Sequence, residues 1–90
     1  MIIENQDKTK IVNFDNLTQI YITQDEEETA TFIRYETVDS LYDDLGEYKT
    51  EERAKEVLQE IINTYLDCNE ENIYEKFAYV KNKVFEMPIK

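Results

Sequence analysis

The residues most able to do chemistry in this sequence are carboxylates, and they are concentrated in its first half. Between residues 25 and 47, nine acidic residues accompany a single basic one, Arg34. Such a cluster can attract a basic protein surface, because opposite potentials steer two proteins together. We therefore predict a partner-binding site in this stretch, the acidic hairpin (residues 25–47). Its candidate residues are Asp25, Glu26, Glu27, Glu28, Asp39, Asp43 and Asp44.

Two other interpretations of the acidic hairpin stay open. In the first, the carboxylates form only a solvated surface with no partner, since a high net charge keeps a small protein soluble. Alternatively, Asp39, Asp43 and Asp44 could hold a divalent cation weakly. That hypothesis lacks both a loop glycine and regular ligand spacing, so the sequence predicts no metal site.

The composition removes most enzyme classes. The 90 residues include no histidine, one serine, one glycine and one cysteine. Ser-His-Asp and Cys-His sites are therefore excluded, and one glycine cannot form a P-loop or a Rossmann phosphate loop. The lone Cys68 excludes an internal disulfide and a cysteine-rich zinc site. Two carboxylates can cleave a glycosidic bond, but so short a chain rarely forms the necessary cleft. We predict a non-enzymatic protein without a cofactor.

A second hypothesis rests on arginine and tyrosine. Arg34 and Arg53 are the two arginines, and seven tyrosines outnumber four phenylalanines. An arginine can hold an anionic group while a tyrosine stacks on a base, which would make the protein an oligomeric, nucleotide-like ligand binder or sequestering protein. One small core cannot bury seven tyrosines. Some are therefore expected on a half-exposed sheet or in a homo-oligomer interface.

The net charge of −11 restricts the partners further. Residues 1–48 carry 12 acids and 3 bases, whereas residues 49–90 carry 9 acids and 7 bases. Nucleic-acid phosphates and anionic membrane surfaces repel so acidic a chain, and neither is expected to bind it directly. No apolar run approaches the roughly 20 residues of a membrane span. No signal peptide precedes the acidic start, so we expect a cytoplasmic location.

The elements that must position these residues begin with strands. Alternating β-branched and aromatic residues are typical of half-buried strands. The segment 29–37 is apolar on both faces, which indicates a strand covered by a helix and by a second subunit. Gly46 predicts a bulge or a tight bend. The predicted strands are residues 1–5, 10–14, 18–23 and 29–37, with a weaker one at 41–42 or 45–48.

An amphipathic helix over residues 50–66 is the clearest element. Its apolar residues recur at helical spacing, with polar residues on the opposite face. Thr50 is predicted to cap the helix, and Asp67–Glu71 to end it. The predicted core consists of Ile20, Ile22, Ile33, Tyr35, Leu45, Val57, Leu58, Ile61 and Ile62.

The C-terminal stretch predicts a short helix over 70–80 and an extended segment over 83–87, because Pro88 biases the residue before it away from helix. Together these patterns predict a single α+β domain over residues 1–90. A small antiparallel β-meander (residues 1–48) carries the helix (50–66) on one face. A short C-terminal helix or strand completes the fold.

Three segments resemble small uncharacterised proteins of prophages and mobile elements in Gram-positive bacteria. They are Ile11–Asn16, the segment LGEYKTEERAKEVLQEI over residues 45–61, and Phe85–Pro88. The resemblance implies a cytoplasmic α+β protein in a phage-like setting, where many small proteins act by occupying a host or defence component. It carries no functional residue over to this chain.

Overall fold

The computed structural model describes the backbone of residues 1–74 and 84–90, and the side chains of residues 1–67 and 84–90. Within these ranges the chain forms two three-stranded sheets and one long helix. The elements are β1 (Ile2–Glu4), β2 (Ile11–Asn13), a 3₁₀ turn (Phe14–Asn16), β3 (Leu17–Gln24), β4 (Thr31–Thr37), β5 (Tyr42–Tyr48), α1 (Glu51–Tyr74) and β6 (Val84–Glu86). The predicted α+β class is confirmed.

The main sheet is the antiparallel meander β3-β4-β5. Ile33 lies opposite Gly46 and Arg34 opposite Asp44, which leaves Leu45 as an extra residue in β5. This is the bulge that the glycine predicts. A Cβ on Gly46 would lie 3.1 Å from the Tyr48 hydroxyl, so any larger residue there would displace the neighbouring side chain by a few tenths of an ångström.

The small sheet has the order β2-β1-β6. β1 pairs with β2 antiparallel and with β6 parallel, so the first and last strands of the chain lie side by side. The predicted single meander over residues 1–48 is wrong in this respect, because β1 and β2 belong to a second sheet. Burial explains the arrangement: Ile3 and Met87 are 0% and 3% exposed and join one hydrophobic cluster with residues of the main sheet.

Helix α1 begins as predicted. The Arg53 amide N–H donates a 3.0 Å hydrogen bond to Oγ1 of Thr50, which satisfies one of the unpaired donors of the first turn. The helix then continues to Tyr74, so the predicted end at 67–71 is wrong. Neither glycine nor proline occurs between Glu51 and Tyr74 to stop it. Of the helix predicted over 70–80, the first five residues continue α1 and the remainder lies outside the described residues.

The core forms where α1 crosses the main sheet. Ile33, Leu45, Val57 and Ile61 are buried as predicted. Ile20, Ile22 and Tyr35 are half-buried against this cluster, and Leu58 is also half-buried. The prediction for Ile62 is wrong, because this side chain is 44% exposed. The narrow sheet covers the helix along Ala54, Val57 and Ile61. Leu58 and Ile62 lie about 100° away around the helix axis.

Candidate protein-binding face

The face of the main sheet turned away from α1 is the candidate site. Because side chains alternate along a strand, Phe32 and Arg34 point away from the buried Ile33 between them. Tyr21 and Asp44 lie directly opposite Arg34 and share its face. We call this surface the outer face; it consists of Gln19, Tyr21, Thr23, Phe32, Arg34, Glu36, Tyr42, Asp44 and Glu47. All nine side chains are half-buried or exposed, so within the described residues this face is open.

Arg34 occupies the centre of the outer face. Its Nε donates a 2.8 Å hydrogen bond to Oδ1 of Asp44, and its guanidinium lies 5.0 Å from the ring centre of Tyr42. The bond to Asp44 raises the pKa of the Arg34 guanidinium above its usual value. The charge of Arg34 is thus balanced within the protein, which weakens the hypothesis that this arginine holds an anionic ligand.

Three aromatic rings give the outer face an apolar centre. Tyr21 and Phe32 are half-buried on β3 and β4, whereas Tyr42 on β5 is 61% exposed. Beside Phe32, a groove of about 180 Å³ runs between β5 and the turn that carries Gln6 and Asp7. Large aromatic side chains are enriched at the centres of protein interfaces, because they offer much contact area at low entropic cost.

Glu26, Glu27 and Glu28 lie exposed at one end of the main sheet, in the turn between β3 and β4. Asp25 shapes this turn: Oδ1 accepts a 2.7 Å bond from the amide of Thr29, and Oδ2 a 2.6 Å bond from its hydroxyl. The hydrogen bonds from Thr29 lower the pKa of Asp25. Asp25 therefore has a structural role in the turn, whereas the side chains of the three glutamates are exposed.

The other predicted acids lie elsewhere. Asp39 is exposed in the turn between β4 and β5, at the opposite end of the sheet. Asp43 points to the inner side, where it pairs with Lys10, and that hydrogen bond lowers its pKa. Asp44 pairs with Arg34 on the outer face. The structure thus separates the seven predicted residues into three places instead of one cluster.

The alternative cation site at Asp39, Asp43 and Asp44 is not formed. Asp43 and Asp44 are neighbours in β5, so their side chains leave on opposite faces, and each contacts a different base. Among the residues with described positions, no three His, Cys, Asp or Glu side chains are arranged to hold a metal ion.

Arg53 lies near the start of α1, which packs on the inner face, and so the structure does not bring it together with Arg34. It lines a cavity of about 480 Å³ with Tyr48, Lys49, Ile89 and Lys90. Its Nε donates a 3.0 Å bond to the main-chain oxygen of Lys90. The hydroxyl of Tyr48 donates a 2.8 Å bond to the carbonyl of Pro88, and burial raises the pKa of Tyr48 to about 12.

Sequence reasoning missed Gln6, which joins the two sheets. Its Nε2 lies 2.9 Å from the carbonyl oxygen of Glu47 and 3.1 Å from that of Pro88. A glutamine in a polar turn gives no local signal of contacts more than 40 residues away. The same holds for Lys10, whose Nζ lies 5.2 Å from the ring centre of Tyr35 while it pairs with Asp43.

Comparison of the chain with protein-family models, with curated proteins and with solved structures found no match. In the part of the chain that the structure describes, no helix has a stretch long and apolar enough to cross a lipid bilayer.

Proposed function

We propose that this protein is a non-enzymatic protein-binding module that acts by occupying a basic protein partner through its outer face. The observation that carries the proposal is an open sheet face with an aromatic centre and exposed acids beyond both of its ends. Tyr21, Phe32 and Tyr42 supply the centre. The rim consists of Glu26, Glu27 and Glu28 in one turn and Asp39 in the other.

The aromatic centre and the acidic rim are expected to contribute differently to binding. Buried aromatic anchors contribute most of the binding free energy, whereas rim charges mainly set the rate of encounter and its dependence on salt. Glu36, Asp44 and Glu47 on the face outnumber the single cation Arg34. A partner with a basic surface is therefore favoured, while a second acidic protein would be repelled from this face.

If the outer face were only a solvated surface, its three aromatic rings would have no role. A face that only stays in water gains nothing from three aromatic side chains, because exposed apolar patches favour association. The cytoplasmic location and the phage-type setting belong to the proposal as predictions from the sequence and its resemblance. Binding of a host or defence component is part of the same prediction.

The test compares two triple charge reversals in affinity capture from a Gram-positive host lysate. Changing Glu26, Glu27 and Glu28 to Lys is expected to slow association about tenfold or more with any partner steered to this turn. The control changes Glu52, Glu60 and Asp67 to Lys, three exposed acids of α1, and alters the net charge by the same amount. The proposal is supported if a basic protein is captured and elutes as the salt concentration rises. The same protein should be lost with the first variant and retained with the control.

The aromatic centre needs its own variant. Changing Tyr21 and Tyr42 to Ser removes two rings from the outer face without touching the buried cluster, so the fold should persist and the captured partner should dissociate faster. Equal capture by this variant and by the unchanged protein would show that the outer face is not the docking surface.

A second candidate function, the binding of a small anionic ligand, is favoured by the cavity at Arg53. Three cationic side chains, Lys49, Arg53 and Lys90, line it beside one acid, Glu47, in a chain of net charge −11. Arg53 also pairs with Glu56 at 3.1 Å, on the exposed surface of α1. The ring of Tyr48 and the side chain of Ile89 add apolar surface, which suits a nucleotide-like ligand.

Thermal shift with inorganic phosphate and with adenosine monophosphate tests this candidate. Binding should raise the Tm, because a ligand that binds only the folded state stabilises it by mass action. Arg53→Gln should abolish the shift, whereas Arg34→Gln, on the outer face and away from this cavity, should leave it unchanged. No shift with either compound counts against the candidate.

A further inference from the structure

The two edges of the main sheet differ in how their backbone groups are bonded. At the β5 edge, the N–H of Gln6 donates to the carbonyl of Leu45 at 2.8 Å, and the Gln6 side chain bonds both N–H and C=O of Glu47. The N–H of Asp44 donates to the side chain of Asp43 at 2.8 Å. The β5 edge is therefore closed to another strand.

The β3 edge is open within the described residues. The Asp25 N–H donates to the Ala30 carbonyl at the turn, and residue pairs along an antiparallel ladder alternate between bonded and non-bonded. Ile20, Ile22 and Gln24 consequently direct their backbone N–H and C=O groups away from β4. No hydrogen bond to these groups occurs among the described residues. An eight-residue edge strand in this state is a ready template for pairing.

The region beside this edge is uncharged. The two longest stretches without a charged residue are Asn16–Gln24 and Ile61–Leu66, with nine and six residues. The two stretches lie on either side of a groove of about 340 Å³. All residues that line this groove are uncharged, and they include Ile20, Leu58 and Ile62. Edge strands are commonly protected by lysine or proline, and this strand contains neither.

We propose that β3 pairs antiparallel with β3 of a second copy of this chain, about a two-fold axis, so that two main sheets form one continuous sheet. The outward groups of Ile20 and Gln24 of one copy would bond those of Gln24 and Ile20 of the other. The apolar groove beside β3, with Ile62 at its rim, would lie at the junction. This interface uses the backbone edge of β3 and the groove beside α1, so the side chain of Tyr21 stays on the outer face of the joined sheets.

Charge and edge chemistry identify the occupant as a second copy. Two chains of net charge −11 repel each other least where both surfaces are uncharged. β3 and its groove bring together the two longest uncharged stretches of the chain. A symmetric pairing uses the same edge twice and closes on itself. Head-to-tail growth would need the β5 edge, which Gln6 and Asp43 block, so the assembly stops at a dimer.

The experiment measures the mass in solution by size-exclusion chromatography with light scattering, across the micromolar range. The unchanged chain should have the mass of a dimer. Gln24→Pro removes an outward N–H without affecting the backbone bonds to β4, and should weaken the dimer about tenfold to hundredfold. It also removes the 3.4 Å side-chain bond to Thr31. The control Val38→Pro places a proline at an exposed turn residue and should remain dimeric.

Ile62→Glu provides a second variant that does not depend on the strand backbone. It places one carboxylate from each copy beside the junction, at a side chain already 44% exposed, so the monomer should fold normally and the dimer should weaken. Circular dichroism and Tm confirm the fold of each variant. A monomeric mass for the unchanged chain, a larger assembly, or a dimer that survives both Gln24→Pro and Ile62→Glu would overturn the proposal.

Salt distinguishes this interface from the proposed function. Raising the ionic strength to about 1 M shortens the Debye length to about 3 Å and screens the repulsion between two acidic copies. The dimer should then become tighter, whereas binding of a basic partner should become weaker. A dimer that dissociates as salt rises would contradict the uncharged interface and leave the outer-face proposal untouched.

Discussion

The two faces of the main sheet come from alternate residues of the same strands, yet they differ sharply in what covers them. On the inner face, Ile33 and Tyr48 are 0% and 3% exposed beneath α1. On the outer face, Phe32 is half-buried and Tyr42 is 61% exposed. Both faces carry aromatic rings, so composition does not distinguish them. Coverage by the helix makes one face a source of stability and leaves the other open among the described residues.

The largest expected effect separates two neighbours on β4. Ile33→Ala should lower the free energy of unfolding by about 2–5 kcal/mol, because it leaves a cavity in the core. Phe32→Ala on the outer face should cost about 1 kcal/mol, as is usual away from the core. Urea denaturation followed by circular dichroism measures both. Equal losses would show that the outer face is covered in the folded protein.

The two edges of the main sheet also differ, because Gln6 covers the β5 edge. Gln6→Ala should lower the free energy of unfolding by about 1–3 kcal/mol, since it removes the bonds that join β5 to the C-terminal segment. It should also free the backbone N–H and C=O of Glu47 at the β5 edge, which favours assemblies larger than a dimer. Gln24→Ala is the matched control, because its side chain makes one long bond of 3.4 Å to Thr31. A Gln6→Ala variant with unchanged stability would show that the edge is not closed by this residue.

The buried Tyr48 of the inner face should make the stability depend on pH in the alkaline range. The pKa of Tyr48 is raised by burial from 10.0 to about 12, so the unfolded chain loses this proton first. The stability that Tyr48 contributes is complete below pH 10 and is lost as pH rises from 10 to 12. Tyr48→Phe should make this decline shallower. Urea unfolding at a series of pH values compares the variant with the unchanged protein, and identical slopes for the two would contradict the burial of Tyr48.

The smallest expected effect on stability concerns Asp43, whose side chain lies on the inner face of β5. Asp43 has its pKa lowered by the hydrogen bond from Lys10, so its contribution is present above its ordinary value of 3.8 and is lost as pH falls through the lowered pKa. Because the pair is largely exposed, Asp43→Asn should cost less than about 1 kcal/mol at neutral pH and should reduce the loss of stability in acid. Asp39→Asn, in the exposed turn, controls for the removal of one charge. An unchanged acid profile for Asp43→Asn would refute a role for the Lys10 pair.

Local patterns predicted much of the fold. The Thr50 cap, the start of α1 and the bulge at Gly46 depend on residues close in sequence, and all three are confirmed. The end of α1 was missed because the polar residues after Leu66 weaken a helix without stopping it. Ile62 follows the helical stripe, but the sheet is too narrow to cover it.

The sequence predicts which acidic residues are concentrated near the candidate site, but not where their side chains lie. The sequence shows where the acids are concentrated, but it treats Asp43 and Asp44 as equivalent neighbours. Strand alternation sends one to Lys10 and the other to Arg34. Asp25 likewise shapes its own turn, so its carboxylate is engaged within the chain.

The sequence alone determined the elements whose free energy comes from near neighbours: the capped helix, the alternating strands, the turns and the distribution of charge. The tertiary structure alone decided that β1 lies beside β6, that Gln6 closes one edge of the main sheet, and which face remains open. These outcomes depend on contacts between residues far apart in the chain. Their stabilisation appears only when distant apolar surfaces are buried together, so no local pattern reports it.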